Sequence, residues 1–169
     1  MPILVTERLA LRELALGDAD FIFKLLNDPA FIRFIGDRNI RSTDDAKHYL
    51  RQGPLASYQR HGFGLYLVEE KSNGAPVGMC GLIKRDTLPD VDIGYAFLPE
   101  FRSRGYALEA AAAVMNYGKE GLKLKRIVAI VTPDNERSIH LLSKLGLQFE
   151  RMITWPEDGS ELKLYATGS

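Results

Sequence analysis

The chain has 169 residues, with 22 Lys and Arg against 22 Asp and Glu, three His and one Cys. That length suits one domain over 1–169, and 46% hydrophobic with 26% charged residues can bury a core, which excludes disordered, collagen-like and coiled-coil chains. Zero formal charge and a pI near 6.8 give no whole-molecule attraction to nucleic acid or anionic lipid, and the lone Cys80 anchors neither an internal disulfide nor a Cys-rich zinc site.

The opening Met1-Pro2-Ile3-Leu4-Val5-Thr6-Glu7-Arg8 lacks a basic start followed by a long apolar run, and nothing approaches the roughly 18 apolar residues of a membrane span. A cytoplasmic chain without a membrane partner is expected.

Residues 8–14 alternate polar and apolar and predict a half-buried strand. Gly17-Asp18 breaks it. Phe21, Ile22, Leu25 and Leu26 then recur at helical spacing until Asn27-Asp28-Pro29 ends the helix, and a loop with Phe31, Phe34 and Ile35 is expected next. Ser42-Thr43-Asp44-Asp45 resembles a capping box and opens a helix expected to reach about Arg60. Residues 63–69 and 77–83 read as strands joined by Lys71-Ser72-Asn73-Gly74.

In the strand Val91–Phe97, one face holds Val91, Ile93, Tyr95 and Phe97, and the other only Asp92, Gly94 and Ala96. Such a small face either leaves room for something other than a side chain or lies in water. Residues 106–120 predict an Ala-rich helix that stops at Gly121, and 125–131 a β-branched strand. Pro133-Asp134-Asn135 starts a further helix with Ile139, Leu142 and Leu145 on one face. Residues 147–153 and 161–165 then predict a strand pair around Trp155-Pro156-Glu157-Asp158-Gly159. Without internal repeat or linker, the pattern is one mixed α/β domain.

The densest chemistry lies in Phe97-Leu98-Pro99-Glu100-Phe101-Arg102-Ser103-Arg104-Gly105-Tyr106-Ala107, between the small-faced strand and the Ala-rich helix. A helix start exposes unpaired N–H groups and about half a positive charge. Gly105 permits close backbone approach, and Arg102 and Arg104 supply donors suited to phosphate oxygens. Neither G-x-x-x-x-G-K-[ST] nor a helix-opening G-x-G-x-x-G is present.

Arg102-Ser103-Arg104-Gly105-Tyr106-Ala107 resembles the R/Q-x-x-G-x-G/A acetyl-coenzyme A signature of the GNAT N-acetyltransferases. Thr6-Glu7-Arg8-Leu9-Ala10-Leu11-Arg12, Asp92-Ile93-Gly94-Tyr95 and Asn135-Glu136-Arg137-Ser138 leading to Lys144-Leu145-Gly146-Leu147 are similar to its RimJ/RimL-like branch. The resemblance implies a mostly antiparallel sheet of about seven strands, splayed between its fourth and fifth, with about four helices. It places pantetheine along the backbone of Phe97, Leu98 and Pro99, the pyrophosphate on the N–H groups from Arg102 through Ser103, Arg104, Gly105 and Tyr106 to Ala107, and Asn135 and Ser138 on the other flank. By residue chemistry alone, Asn135 and Ser138 also suit helix capping.

Acetyl transfer needs an uncharged amine: an α-amine is neutral in about one molecule in seven at pH 7, a lysine in about one in 2,500. Asp92 is the first candidate for the base, with Glu69 and Glu70 behind it. The tyrosine acid of many relatives falls at Leu142, and the branch resemblance shifts that duty to Ser138. His61 and His140 show no metal-ligand spacing, so no metal is expected. Nothing in the sequence marks Cys80 as an acyl carrier. The acceptor implied by the branch is a protein N-terminal α-amine; a polyamine or an aminoglycoside stays open, with Glu157 and Asp158 able to attract a cation. A coenzyme A sensor without turnover and a nucleotide-phosphate enzyme are the other readings. The sequence carries no sign of oligomeric state.

Overall fold

In the computed structural model, which describes residues 1–168, the apolar alternation resolves into eight strands of one sheet. They are β1 (Pro2–Val5), β2 (Leu9–Glu13), β3 (Leu65–Glu70), β4 (Pro76–Ile83), β5 (Val91–Phe97), β6 (Ile127–Val131), β7 (Gln148–Thr154) and β8 (Glu161–Ala166). Their spatial order is β1-β2-β3-β4-β5-β6-β8-β7, and every neighbouring pair is antiparallel except β5 with β6. The α-helices are α1 (Ala19–Leu26), α2 (Pro29–Phe34), α3 (Thr43–Gln52), α4 (Pro54–His61), α5 (Tyr106–Asn116) and α6 (Glu136–Lys144). No helix among the described residues is long and apolar enough to cross a membrane.

The class is the expected one, with one strand and two helices more. β1 is four residues at the sheet edge, too short to show alternation, and pairs with β2. Asp28 and Pro29, which end α1, also begin α2: the Asp28 carboxylate accepts from the Phe31 N–H, and Pro29 takes the first helical turn. The helix expected over 42–60 divides at Gly53, because Pro54 disfavours helical backbone in the residue before it and starts α4. The Ala-rich helix ends at Asn116 and runs on as a π turn, Tyr117–Gly121.

Strand alternation sorts the core onto the two sheet faces. Val68, Cys80 and Ile93 join a buried cluster with Ala110, Ala111 and Val114 of α5. Leu67 and Met79 point the other way, into a cluster with Ile22 and Leu25 of α1 and Leu50 of α3. Ala110 and Ala111 are wholly buried, so α5 lies close on the sheet.

β5 and β6 pair only through Val91 with Ile127 and Asp92 with Val128, and part beyond that point. The splay therefore opens between the fifth and sixth strands, since β1 adds one at the edge.

Candidate active site

Where β5 leaves the sheet, its backbone is first tied locally. The Leu98 N–H donates to Val77 O at 3.0 Å, Phe101 N–H to Leu98 O at 3.0 Å and Arg102 N–H to Pro99 O at 3.2 Å. The turn then takes left-handed backbone twice, at Ser103 (φ 65°) and Gly105 (φ 80°), before α5 begins. Glu109 N–H to Gly105 O at 3.0 Å is the first backbone bond of that helix. Among the described residues, no acceptor takes up the N–H groups of Ser103, Arg104, Gly105, Tyr106, Ala107 and Leu108. Six free donors at the positive end of an eleven-residue helix form a fitting seat for a diphosphate.

Two parts of the expected cradle are placed differently. Leu98 and Pro99 have spent their backbone groups on local bonds, and proline has no N–H. By strand alternation from Leu98, the groups of β5 that face the parted edge are those of Tyr95 and Phe97. Arg102 turns its guanidinium back: Nη2 donates to Asp28 Oδ2 at 2.6 Å and to Phe97 O at 3.0 Å. The small face of Gly94 and Ala96 borders open space. The side chains of Ile83 and Leu65 close over part of Gly94 and Ala96 packs on the α1–α3 cluster, yet both stay half-buried and line the cleft. Arg104 is exposed, with its guanidinium 5.3 Å from the Phe101 ring centre.

Behind the turn sits the segment Thr6-Glu7-Arg8. Glu109 accepts from Thr6 Oγ1 at 2.6 Å, from the Arg8 N–H at 2.9 Å and from Arg8 Nε at 2.7 Å. Arg8 Nη1 also donates to Arg104 O at 2.8 Å, and its guanidinium lies 4.6 Å from the Tyr106 ring centre. The Tyr106 hydroxyl donates to Glu70 at 2.6 Å. The segment leading into β2 is thus stapled to the glycine turn that opens α5.

On the other flank, Asn135 caps α6: its Oδ1 accepts from the Ser138 N–H at 3.3 Å. Ser138 Oγ lies 2.5 Å from the Tyr95 hydroxyl, joining α6 to β5 across the cleft. The sequence pattern conceals this partner, because Tyr95 alternates with apolar residues and reads as core; the one signal is a phenol in a strand whose neighbours are Gly94 and Ala96. Burial pushes the Tyr95 hydroxyl up to about 12, against the lowering effect of the Ser138 bond, so the phenol keeps its proton. Leu142 is buried in the core and brings no proton donor. Burial pushes the Cys80 thiol well above its ordinary range, which suits core packing and not acyl transfer.

Asp92 lines the same cleft from the opposite face of β5, with 1% of its surface exposed. Its Oδ1 accepts from Arg85 Nε at 2.9 Å. Desolvation outweighs the Arg85 charge and raises the carboxyl to about 6. Arg85 lies 5.6 Å from the Trp155 ring centre, and Tyr49, Glu157 and Asp158 line this end as well. Glu69 and Glu70 are elsewhere, on the β3 end that pairs with Leu9 and Ala10; Glu69 is held by Arg12 at 3.2 Å. His61 lines the outer cleft with its ring 5.8 Å from that of Phe63, and His140 is exposed on α6.

Residues 8–148 match the family described as "Acetyltransferase (GNAT) domain". An uncharacterized N-acetyltransferase of Bacillus subtilis, YoaA, is 32% identical over 154 residues, covering 90% of this chain and 86% of its own length. The fold is similar to RimL, a ribosomal L7/L12 alpha-N-protein acetyltransferase solved with coenzyme A (TM-score 0.83, 18% identity, 98% and 97% of the two chains). It is also similar to a spermidine N-acetyltransferase SpeG chimera from Vibrio cholerae and hSSAT (TM-score 0.78, 19% identity, 95% of each chain). A splayed sheet with a basic glycine turn at its mouth is the frame of an acyltransferase. The chain belongs to the GNAT acetyltransferase family and is an N-acetyltransferase.

Proposed function

We propose that this N-acetyltransferase takes its acetyl group from acetyl-coenzyme A and delivers it, by direct attack in a ternary complex, to a protein N-terminal α-amine. The observation that carries the donor is the run of six unpaired N–H groups from Ser103 to Leu108 beside the parted strands β5 and β6. When bound, acetyl-coenzyme A supplies an activated thioester and a thiolate leaving group.

The chain's own residues divide the remaining work. The N–H groups of Ser103, Arg104, Gly105, Tyr106 and Ala107 bind the diphosphate, and Arg102 fixes the turn through Asp28 and Phe97. The edge groups of Tyr95 and Phe97 align the pantetheine arm. Asn135 orients the first turn of α6, and Ser138 Oγ donates a hydrogen bond toward the departing sulfur. Asp92, raised to about 6, is the base, receiving the amine proton through water because its carboxylate lies behind Arg85. A base of that strength matches an α-amine better than a lysine, whose neutral fraction is several hundred-fold smaller. The likeness to RimL over nearly the whole chain supports the same acceptor class.

A polyamine is the second acceptor reading, favoured by Glu157 and Asp158 at the cleft mouth. Labelled acetyl-coenzyme A offered with N-terminal peptides, spermidine and an aminoglycoside separates the readings. Label on peptide α-amines with the highest kcat/KM is expected. Preference for spermidine overturns the peptide assignment, and tight coenzyme A binding without transfer to any acceptor leaves a sensor.

A further inference from the structure

Tyr95 and Ser138 are 43 residues apart in sequence, on a central strand and on the first turn of a helix, yet their hydroxyls meet at 2.5 Å. Both residues line the cleft between β5 and β6. Among the described residues, neither hydroxyl has another hydrogen-bond partner. A phenol is the stronger donor of the two, and a serine oxygen the better acceptor. With the Tyr95 proton directed onto Ser138 Oγ, the serine must aim its own proton elsewhere, and the open direction is the cleft.

We infer that Tyr95 is a positioning residue for acetyl transfer: its hydroxyl fixes the Ser138 rotor so that the Ser138 O–H donates into the cleft. This rests on the acetyltransferase reading above and on Ser138 facing the departing sulfur. A free serine hydroxyl spreads over its rotamers and is a weak donor. The Tyr95 bond removes that freedom and, by polarising the serine O–H, strengthens the bond it gives. Burial holds the Tyr95 phenol well above its ordinary titration range, which keeps Tyr95 a donor across the working pH range. No proton leaves Tyr95 in this arrangement, so no co-reactant is required.

The test is a cycle of Tyr95→Phe, Ser138→Ala and the double variant, read by steady-state kinetics, coenzyme A calorimetry and thermal melting. Tyr95→Phe is expected to lower kcat by about tenfold, with coenzyme A Kd within about twofold and an unchanged melting temperature. In the Ser138→Ala background the same substitution is expected to cost almost nothing, because the two hydroxyls act as one unit. Equal losses in both backgrounds overturn the inference. So does a fall in coenzyme A affinity or melting temperature that matches the fall in kcat. A fluorinated tyrosine at 95, which retains ring and hydroxyl, is expected to retain most of the rate; loss there equal to that of Phe also overturns it. Native protein that binds coenzyme A but acetylates nothing sinks the enzymatic reading instead, and an active Ser138→Ala enzyme with native kcat sinks the role of Ser138.

Discussion

At the scale of single residues, the site depends on backbone and burial more than on exposed charge. Gly105 holds φ at 80°, and a Cβ there would stand 3.3 Å from Arg8 Nη2. Left-handed backbone costs a non-glycine residue about 1–2 kcal/mol, and a branched Cβ also crowds the Arg8 guanidinium that braces the turn. Gly105→Val is expected to weaken coenzyme A binding at least about tenfold, equivalent to about 1.4 kcal/mol. Gly105→Ala shares the strain but not the branch and should lose less. Calorimetry on both decides it, and native affinity in the valine variant refutes the cradle. Asp92 makes a pH-dependent claim. Its folded carboxyl titrates at about 6, above the ordinary 3.8, so the folded chain binds the proton more tightly. Stability relative to Asp92→Asn should therefore fall as pH rises from about 4 to 6, by an amount on the order of 2–3 kcal/mol at 1.36 kcal/mol per pH unit. Urea midpoints of the two proteins across that window test the sign; a wild type that gains stability over the variant as pH rises refutes it.

At the scale of elements, the tie between Asp28 and Arg102 links the glycine turn before α5 to α2. Asp28 Oδ2 serves both the Phe31 N–H at 3.3 Å and Arg102 Nη2 at 2.6 Å, and only 6% of the Asp28 side chain is exposed. Asp28→Asn keeps an acceptor for the cap but leaves the guanidinium uncompensated, at a cost of about 2 kcal/mol since Arg102 still reaches water. A melting point lower by about 4–8 °C is expected. Because α2 lines the cleft away from the glycine turn's free N–H groups, the acceptor KM should rise more than the coenzyme A Kd. Equal increases would return Arg102 to the diphosphate. Much of this element map was legible beforehand: β2 through β6, α5 and α6 follow from apolar periodicity, and the glycine turn from its junction position. What stayed hidden had specific causes. The helix α2 shares its start signal with the stop of α1, Gly53-Pro54 was read within one long helix, and β1 was too short for a period. The side-chain bonds of Arg102 to Asp28 and of Tyr95 to Ser138 join residues 74 and 43 apart, a distance local pattern cannot bridge.

Across the whole molecule, the glycine turn before α5 is held from behind by the segment near the start of the chain. Thr6 and Arg8 converge on Glu109, Lys71 Nζ donates to Thr6 O at 2.9 Å, and Arg8 reaches on to Arg104 O. This clamp explains physically why a Thr-Glu-Arg block near the start accompanies a glycine turn about a hundred residues later. It also sets a guanidinium beside the unpaired N–H groups proposed to receive the diphosphate, adding positive potential there. Arg8→Gln should therefore act on donor binding and spare the chemistry: coenzyme A Kd should rise about three- to tenfold at low ionic strength, with kcat at saturation within about twofold. Arg8 is exposed and Glu109 partly buried, with 44% and 18% of the two side chains accessible, so the charge part of the effect is open to screening. Since the Debye length shrinks from about 10 Å at 0.1 M salt to about 3 Å at 1 M, the difference between variant and wild type should narrow as salt is added, down to the part owed to the lost bond to Arg104. Glu109→Gln separates the two contributions, because it loosens the clamp while removing the carboxylate that offsets the Arg8 charge: its affinity should fall less at low salt, and the gain from the unpaired guanidinium should fade as salt is added. Calorimetric titration of coenzyme A at three salt concentrations reads both effects, and an Arg8→Gln protein that binds as tightly as wild type at low salt would show that the clamp has no part in donor binding.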